Sequence, residues 1–593
     1  MLKLIHFLKP YKRMLVAVIF LTFLLTLGTL YIPTLTAEIV NNGVMKGNVS
    51  YIIKVGAVML LVSALTGGVT VWNNRLAADL SAELARDIRE KVFVKAQSFS
   101  INDFNKIGTA SMITRATGDV TLIGDTMLMF IMMLLPAPVM AIGGLCLAFV
   151  KDRVLALIIV ATMIFFMLIA ALLGIKVIPL FKLIQIKMDN INRTLRENVI
   201  GVRVIRAFNR EKYEKNRVDA ASSDYADNVI RINKMIAVLE PIAMMIINGG
   251  IIAILWLGGV RAAEGVVQIG DIMAMVEYCF LILIFLIMGV MMFMYIPRAQ
   301  ASAERINEIL TIDPEISDIA VSNSEREETI PYSEKQEEIL SSEKKEFAHL
   351  EFRDVTFQYP NAEEPVLSNL SFESNSGEVT AIIGGTGSGK STIASLMLRF
   401  FEIQGGSIML DGTDIRYLPQ KELRDKIGFV SQKTFLFSGT ISENIRYGME
   451  AATQEQMEHA AKVAQAHDFI TEMEQKYNSH VAQGGNNLSG GQKQRLAIAR
   501  ALIRKPEFYI FDDSFSALDF RTDAMLRKAL KSEIGASTVI LVAQRISTIM
   551  DADRIIVLED GQIAGIGRHE ELIRNCDVYR QIAASQLSEE ELA

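Results

Sequence analysis

Gly384-Gly385-Thr386-Gly387-Ser388-Gly389-Lys390-Ser391-Thr392 sits between two segments of opposite character. Before it, Glu378-Val379-Thr380-Ala381-Ile382-Ile383 reads as a short buried strand, and after it residues 392–400 read as a helix. Glycines let the backbone wrap a phosphate closely, and free N–H groups at a helix N-terminus favour negative charge. In this strand–turn–helix context the segment is a P-loop. Lys390 is placed to reach the β- and γ-phosphates of ATP, and the Ser391 hydroxyl to ligate Mg²⁺.

About a hundred residues on, Leu488-Ser489-Gly490-Gly491-Gln492-Lys493-Gln494-Arg495 is a second glycine-bearing helix start, suited to a γ-phosphate by the same N-terminal logic. Phe508-Tyr509-Ile510-Phe511-Asp512 is an apolar strand ending in a carboxylate that would hold Mg²⁺, mostly through water. In this order the motifs resemble those of the ABC ATPase family. The resemblance implies that Tyr359 stacks on adenine and that Gln432, in Val430-Ser431-Gln432, is the Q-loop glutamine touching Mg²⁺. It also implies that Ser489, Gly490, Gly491 and Gln492 act across a dimer interface, on nucleotide held by the other subunit. Ser516-Ala517-Leu518-Asp519 matches the D-loop, and Asp519 joins the nucleotide-binding set.

Two departures from the family pattern bear on chemistry. The residue after Asp512 is glutamate in a competent ABC site, where it polarises the attacking water; here it is Asp513. The missing methylene withdraws the carboxylate by roughly 1.5 Å, and misplacement of about 1 Å can cost on the order of 100-fold in rate. In Val542-Ala543-Gln544-Arg545 the family places histidine before arginine. Gln544 still donates a hydrogen bond to a γ-phosphate but carries neither proton nor charge as imidazole does. Together, Asp513 and Gln544 mark a site expected to bind ATP and hydrolyse it slowly. Gln483, in place of a glutamate common just before the signature, points weakly the same way.

The chain has 593 residues, enough for two or three domains. Its hydrophobic content of 51% exceeds the ordinary soluble range. A net charge of −7 argues against nucleic acid as the main ligand. Cys146, Cys279 and Cys576 lie far apart, without metal-ligand spacing, and read as apolar filler. Six stretches reach the roughly 20 residues needed to cross a bilayer: 14–32, 55–72, 126–150, 154–175, 241–260 and 278–295. They exclude a DNA-repair or ribosome-associated ABC protein. The first is too long for a signal-peptide core, and residues 1–13, with Phe7, Leu8, Lys9, Lys12 and Arg13, read as an interfacial helix before it.

Connector lengths alternate. The second and fourth connections are long and carry Arg75, Arg86, Arg89, Lys91 and Lys95, then Lys182, Lys187, Arg193, Arg196, Arg203, Arg206 and Arg210. The positive-inside rule puts both, the two termini and the ATPase in the cytoplasm. With little Gly or Pro, they are expected to be helices running on from the membrane, where about 25 residues reach nearly 40 Å.

Residues 108–120 resemble the first coupling helix of ABC exporters, and residues 201–211 the run into the second. The resemblance then covers nearly the whole chain. It implies an all-α six-helix transmembrane domain of type IV ABC exporter form, followed by an α/β P-loop ABC ATPase domain. The expected boundaries are 1–311 for the membrane domain, 312–347 for an acidic linker and 348–593 for the nucleotide-binding domain. With Asp513 and Gln544, the nearest subset is the degenerate-site subunit of heterodimeric multidrug exporters. The expected partners are a second half-transporter, the lipid bilayer and a hydrophobic or amphipathic substrate, in a cytoplasmic membrane. Lipid or peptide cargo, an ATP-gated sensor or channel, and a slow homodimer are the alternatives. The absence of a peptidase domain before the first span lowers the peptide version. Glu240 and Glu277, at or inside spans, are candidates for contacting a cationic substrate, with a helix-end or paired carboxylate as the structural alternative. Met127, Met129, Met132, Met133, Met244, Met245, Met288, Met291, Met292 and Met294 crowd the spans; thioethers suit a promiscuous surface, though packing filler explains most.

Overall fold

The computed structural model describes residues 6–293, 295–318, 348–360 and 362–587, without the side chains of 178, 181, 182 and 185. Residues 1–5, Met294, the Lys182 side chain and residues 319–347 of the acidic stretch lie outside the described residues. The chain divides into two compact units: Met1–Gln97 with Ile107–Asp313, and Ser98–Lys106 with Pro314–Ala593.

The first unit is helical. Its elements are α1 (Lys12–Glu38), α2 (Val49–Gln97), α3 (Ile101–Ile107, grouping largely with the second unit), α4 (Thr109–Thr114), α5 (Val120–Met129), α6 (Pro136–Lys151), α7 (Arg153–Ile200), α8 (Val202–Ala207), α9 (Glu211–Ala237), α10 (Leu239–Ala263), α11 (Ile269–Met292) and α12 (Ile296–Thr311). A π-helical turn at Ile39–Val44 extends α1, and those at Arg115–Asp119 and Phe130–Leu134 join α4, α5 and α6 into one longer rod. Six helices are long and apolar enough to cross a membrane: Lys12–Val44, Val49–Gln97, Thr109–Lys151, Arg153–Val177, Glu211–Ala263 and Ile269–Thr311. The long connections are helical, as expected; α7 alone, at 48 residues, spans about 72 Å. Residues 6–11 differ from the helix anticipated there. Residues 6–8 form a 3₁₀ turn, residues 9–11 a bend and turn, and α1 begins only at Lys12, because Pro10 lacks the N–H a continuous helix would need.

Large apolar side chains such as Phe20, Leu60, Trp72 and Trp256 are exposed around the bundle, where a bilayer would solvate them. At one end, short connections are pinned together. Lys151 pairs with Asp271 at 2.8 Å and Arg261 with Asp152 at 2.7 Å, while Asp152 also caps α7 by accepting from the N–H groups of Val154 and Leu155. Gly270 donates its N–H to Asn41 Oδ1 at 2.7 Å, and a Cβ there would stand 2.4 Å from the Ala37 carbonyl.

At the other end, Asp119 is buried and accepts from Arg305 Nε and Nη2 at 2.7 and 2.5 Å and from Ser302 Oγ at 2.8 Å. Arg115 donates to the Arg305 carbonyl and to Glu308. This network fastens the segment resembling the first coupling helix to α12.

The second unit has two main sheets. A six-stranded sheet runs in the order β12 (Gln562–Gly567), β11 (Arg554–Glu559), β3 (Val379–Gly384), β10 (Thr538–Val542), β9 (Phe508–Asp512) and β6 (Ile427–Val430), parallel except for β12. A four-stranded antiparallel sheet contains β2 (Leu367–Ser374), β1 (Leu350–Phe357), β4 (Gly405–Leu410) and β5 (Thr413–Asp414), and β7 (Gly439–Thr440) pairs with β8 (His480–Val481). Parallel strands covered on both faces read as continuous apolar runs, and every residue of β9 and β10 is buried. Alternate residues feed two cores: Ala381, Ile383, Tyr509, Phe511, Val539 and Leu541 join one, while Ile382, Phe508, Ile510, Ile540 and Val542 join the other. The α3 segment belongs here through Asp103, which is buried and accepts from the Glu315 N–H at 3.0 Å and from Ser100 Oγ at 2.8 Å.

Candidate functional site

Strands β3, β9 and β10 are adjacent and parallel, so their C-terminal ends deliver the P-loop, Asp512–Asp513 and Gln544 to one edge of the sheet. The P-loop helix runs Lys390–Met397, starting two residues before the expected position. Gly387 and Gly389 hold φ of +87° and +94°, the left-handed region open to glycine at no steric cost. A Cβ at Gly385 or Gly387 would meet nothing within 4 Å, which leaves room for phosphate oxygens along this backbone.

Lys390 Nζ donates to the carbonyls of Gly384 and Gly385 at 2.9 and 2.6 Å. Burial pushes its ammonium below the usual lysine range, with the Asp513 and Asp512 charges opposing. Ser391 Oγ donates to Asp512 Oδ1 at 2.9 Å. Burial raises the Asp512 carboxyl, and the neighbouring Asp513 adds to that, while the Ser391 hydrogen bond and Lys390 pull the other way. A divalent cation is the counter-charge such a carboxylate lacks. Hydroxyl and carboxylate oxygens side by side are hard donors that fit Mg²⁺.

Asp513 is held from three sides. Its N–H donates to the Val542 carbonyl at 2.9 Å. Its Oδ2 accepts from Gln432 Nε2 and from Gln544 Nε2, each at 3.0 Å. Both glutamines anticipated from sequence therefore converge on one carboxylate oxygen. With its nitrogen on Asp513, each amide keeps its oxygen as an acceptor; on Gln432 that oxygen is what a metal would use. Asp513 sits at φ +46°, a region aspartate tolerates better than longer acids.

Tyr359 hydrogen-bonds Thr392 Oγ1 at 3.1 Å and meets Phe357 and Phe401 edge-on, which fixes its ring beside the P-loop helix. In the signature, Ser489 caps the helix Gly490–Leu502 in a reciprocal box with Gln492. That geometry spends the Gln492 side chain locally and leaves the Gly490 and Gly491 backbone at the helix start. Asp519 caps the helix Phe520–Glu533 through the Thr522 N–H, so its side chain shapes the D-loop. The D-loop is tied to the signature helix by Gln494, which accepts from the Ala517 N–H at 3.2 Å. Nothing in the motif pattern pointed to Gln494, nor to Gln586, which grips the backbone of the Gln544 loop.

The substrate candidates differ from one another. Glu240 is exposed in the first turn of α10, where free N–H groups favour a carboxylate. Glu277 lies well inside α11, half-exposed. Among the described residues, neither carboxylate has a hydrogen-bond or ion-pair partner. Of the methionines, Met292 is buried packing and Met245 is 74% exposed. Cys146, Cys279 and Cys576 are all free thiols.

Comparison with known proteins agrees with this architecture. Residues 15–296 match the ABC transporter transmembrane region, and residues 367–516 match the ABC transporter family. An ABC transporter ATP-binding protein of Mycobacterium tuberculosis is 36% identical over 581 residues, 98% of this chain and 97% of that protein. YfiB of Bacillus subtilis, another ABC transporter ATP-binding protein, is 36% identical across 100% of this chain and 99% of its own length. An ATP-dependent lipid A-core flippase of Desulfotalea psychrophila is 31% identical over 96% of each chain. A bacterial Atm1-family ABC exporter, solved with ATP bound, superposes with a TM-score of 0.79 at 25% identity, over 98% of this chain and 99% of that one. With membrane-spanning helices fused ahead of an ATP-hydrolysing domain, the chain belongs to the ABC transporter family as a half-transporter of the bacterial exporter type.

Proposed function

We propose that this chain is the slow-site half of a heterodimeric exporter in a cytoplasmic membrane, with its termini and ATPase on the cytoplasmic side, moving hydrophobic or amphipathic compounds. The observation that carries the reading is the Asp513 carboxylate clasped at one oxygen by two uncharged amides, Gln432 and Gln544. A short carboxylate positions water poorly, and an amide cannot take up the proton that imidazole can. ATP would bind along the P-loop backbone, its γ-phosphate facing Lys390 and the Gln544 amide. Mg²⁺, held by Ser391, Asp512 and the Gln432 carbonyl, would neutralise charge on the phosphates. Ser489–Gln492, intact, would close on nucleotide held by the partner.

Two such domains closing face to face would draw the cytoplasmic helix extensions together and turn the cavity outward; hydrolysis would reopen it. Steady-state ATPase assays test the asymmetry. Replacing the partner's catalytic glutamate with glutamine should abolish most turnover, whereas Asp513→Asn should change it little. Equal losses overturn the reading, as would brisk turnover by an assembly of this chain alone.

Within the transport reading, Glu277 is the residue proposed to meet a cationic amphipathic substrate, since an unpaired carboxylate inside an apolar helix is costly unless it faces water or a cation. Lipid cargo is the second reading, favoured by the similarity to the lipid A-core flippase of D. psychrophila. Flux of a fluorescent lipid against flux of an organic cation in inside-out vesicles separates the two.

A further inference from the structure

The loop carrying Gln544 is fastened at four points. Ala543 donates its N–H to the Ile382 carbonyl of β3 at 3.1 Å. Arg527 donates to the Ser547 carbonyl at 3.0 Å, and Arg545 to the Ser516 carbonyl at 3.2 Å. The fourth fastening comes from the far end of the chain. Gln586, two residues past the helix Asp577–Ala584, donates from Nε2 to the Gln544 carbonyl at 2.9 Å and accepts from the Ile546 N–H at 2.8 Å. One carboxamide thus pairs with the backbone on both sides of Arg545, much as a neighbouring strand would.

We propose that Gln586 is a positioning residue for ATP cleavage: it sets the backbone at Gln544 so that the Gln544 side chain reaches Asp513. Its side chain hydrogen-bonds the backbone of this loop, not the P-loop, Asp512 or Gln432, and acts through the loop. The neighbouring fastenings leave the Gln544–Arg545 peptide dependent on it. The Arg527 and Arg545 contacts fix the loop downstream and toward the D-loop, and the Ala543 contact fixes it upstream. Among the described residues, only Gln586 holds the Gln544 carbonyl itself. Turning that peptide swings the Gln544 side chain away from the oxygen it now shares with Gln432. The proposal needs only the ATPase chemistry of the family and stands whether the site is slow or fast.

The test follows cleavage of radiolabelled ATP retained by the full-length transporter in a single turnover, so that even a slow site is read directly. Gln586→Ala and the same-sized Gln586→Glu, which keeps the acceptor but loses the donor, are each made with Gln544 intact and with Gln544→Ala. With Gln544 intact, both variants should slow cleavage by about fivefold or more, because displacements on the order of 1 Å can cost ~100-fold. The concentration of ATP giving half-saturation should not move. With Gln544→Ala, neither variant should slow cleavage further, since there is no side chain left to aim. Equal fold-losses in both backgrounds would mark Gln586 as a general structural support and overturn the proposal. Unchanged cleavage with Gln544 intact would also overturn it, as would a shift in half-saturation alone. A slow-site failure looks different: wild-type cleavage would simply be fast.

Discussion

Restoring glutamate and histidine at positions 513 and 544 should speed ATP cleavage at this chain's own P-loop. Asp513 is anchored by its N–H to Val542, and its Oδ2 lies 3.0 Å from each of two amides. An added methylene advances the carboxylate by about 1.5 Å, the length of a carbon–carbon bond. If that corrects a misplacement of about 1 Å, the gain is on the order of 100-fold, or ~2.7 kcal/mol. Part of this is lost to the backbone. At φ +46° aspartate is tolerated where glutamate is less so, and a penalty of roughly 1 kcal/mol is in the range of left-handed strain. The net expectation for Asp513→Glu with Gln544→His is about tenfold faster cleavage or more, with Asp513→Glu alone giving less because no imidazole takes the proton. Single-turnover cleavage of retained ATP, with ATP affinity measured in parallel, reads the change. If the double variant holds ATP as tightly as before and cleaves it no faster, the short carboxylate and the amide do not limit cleavage at this site.

Arg305→Ala strips the buried Asp119 carboxylate of two hydrogen bonds and, among the described residues, leaves it Ser302 alone. Because the Arg305 side chain is 45% exposed, a cost of about 2 kcal/mol is expected rather than the full price of a buried charge; a thermal midpoint unchanged by the substitution would contradict this. Burial alone would raise the Asp103 carboxyl, but hydrogen bonds from the Glu315 N–H and from Ser100, with Lys106 nearby, outweigh it and hold the group below the usual carboxylate range. Its contribution is therefore present above about pH 4 and lost as pH falls through its lowered pKa. Asp103→Asn should flatten that acid limb in a pH series of unfolding midpoints, and an unaltered limb would refute it. Glu277→Gln should lower efflux of an organic cation more than efflux of a neutral analogue; equal losses would remove Glu277 from substrate recognition.

Local physics made much of this molecule legible in one dimension. The six apolar stretches, the buried run Phe508-Tyr509-Ile510-Phe511-Asp512 and the glycine-rich turn each carry their structure within a few residues. Boundaries were less legible. The P-loop helix stops at Met397 because Arg399 adopts φ +50°, and no side-chain pattern announces that turn. Side-chain convergence was hidden altogether: Gln432 and Gln544 stand 81 and 31 residues from Asp513, and only the order of strands in the sheet brings them to one oxygen. Gln586 belongs to no motif, since what it recognises is backbone.

The two ion pairs Lys151–Asp271 and Arg261–Asp152 rivet the tips of α6 and α7 to those of α10 and α11. Those four helices should therefore swing as one plate. They meet α1 along a separate seam, where Leu30 lies against Gly143 and Gly144 of α6 and Gly270 of α11 nests against Ala37 and Asn41 with no space for even a methyl group. A side chain at Gly270 would act as a wedge, prying the seam open before any nucleotide is spent.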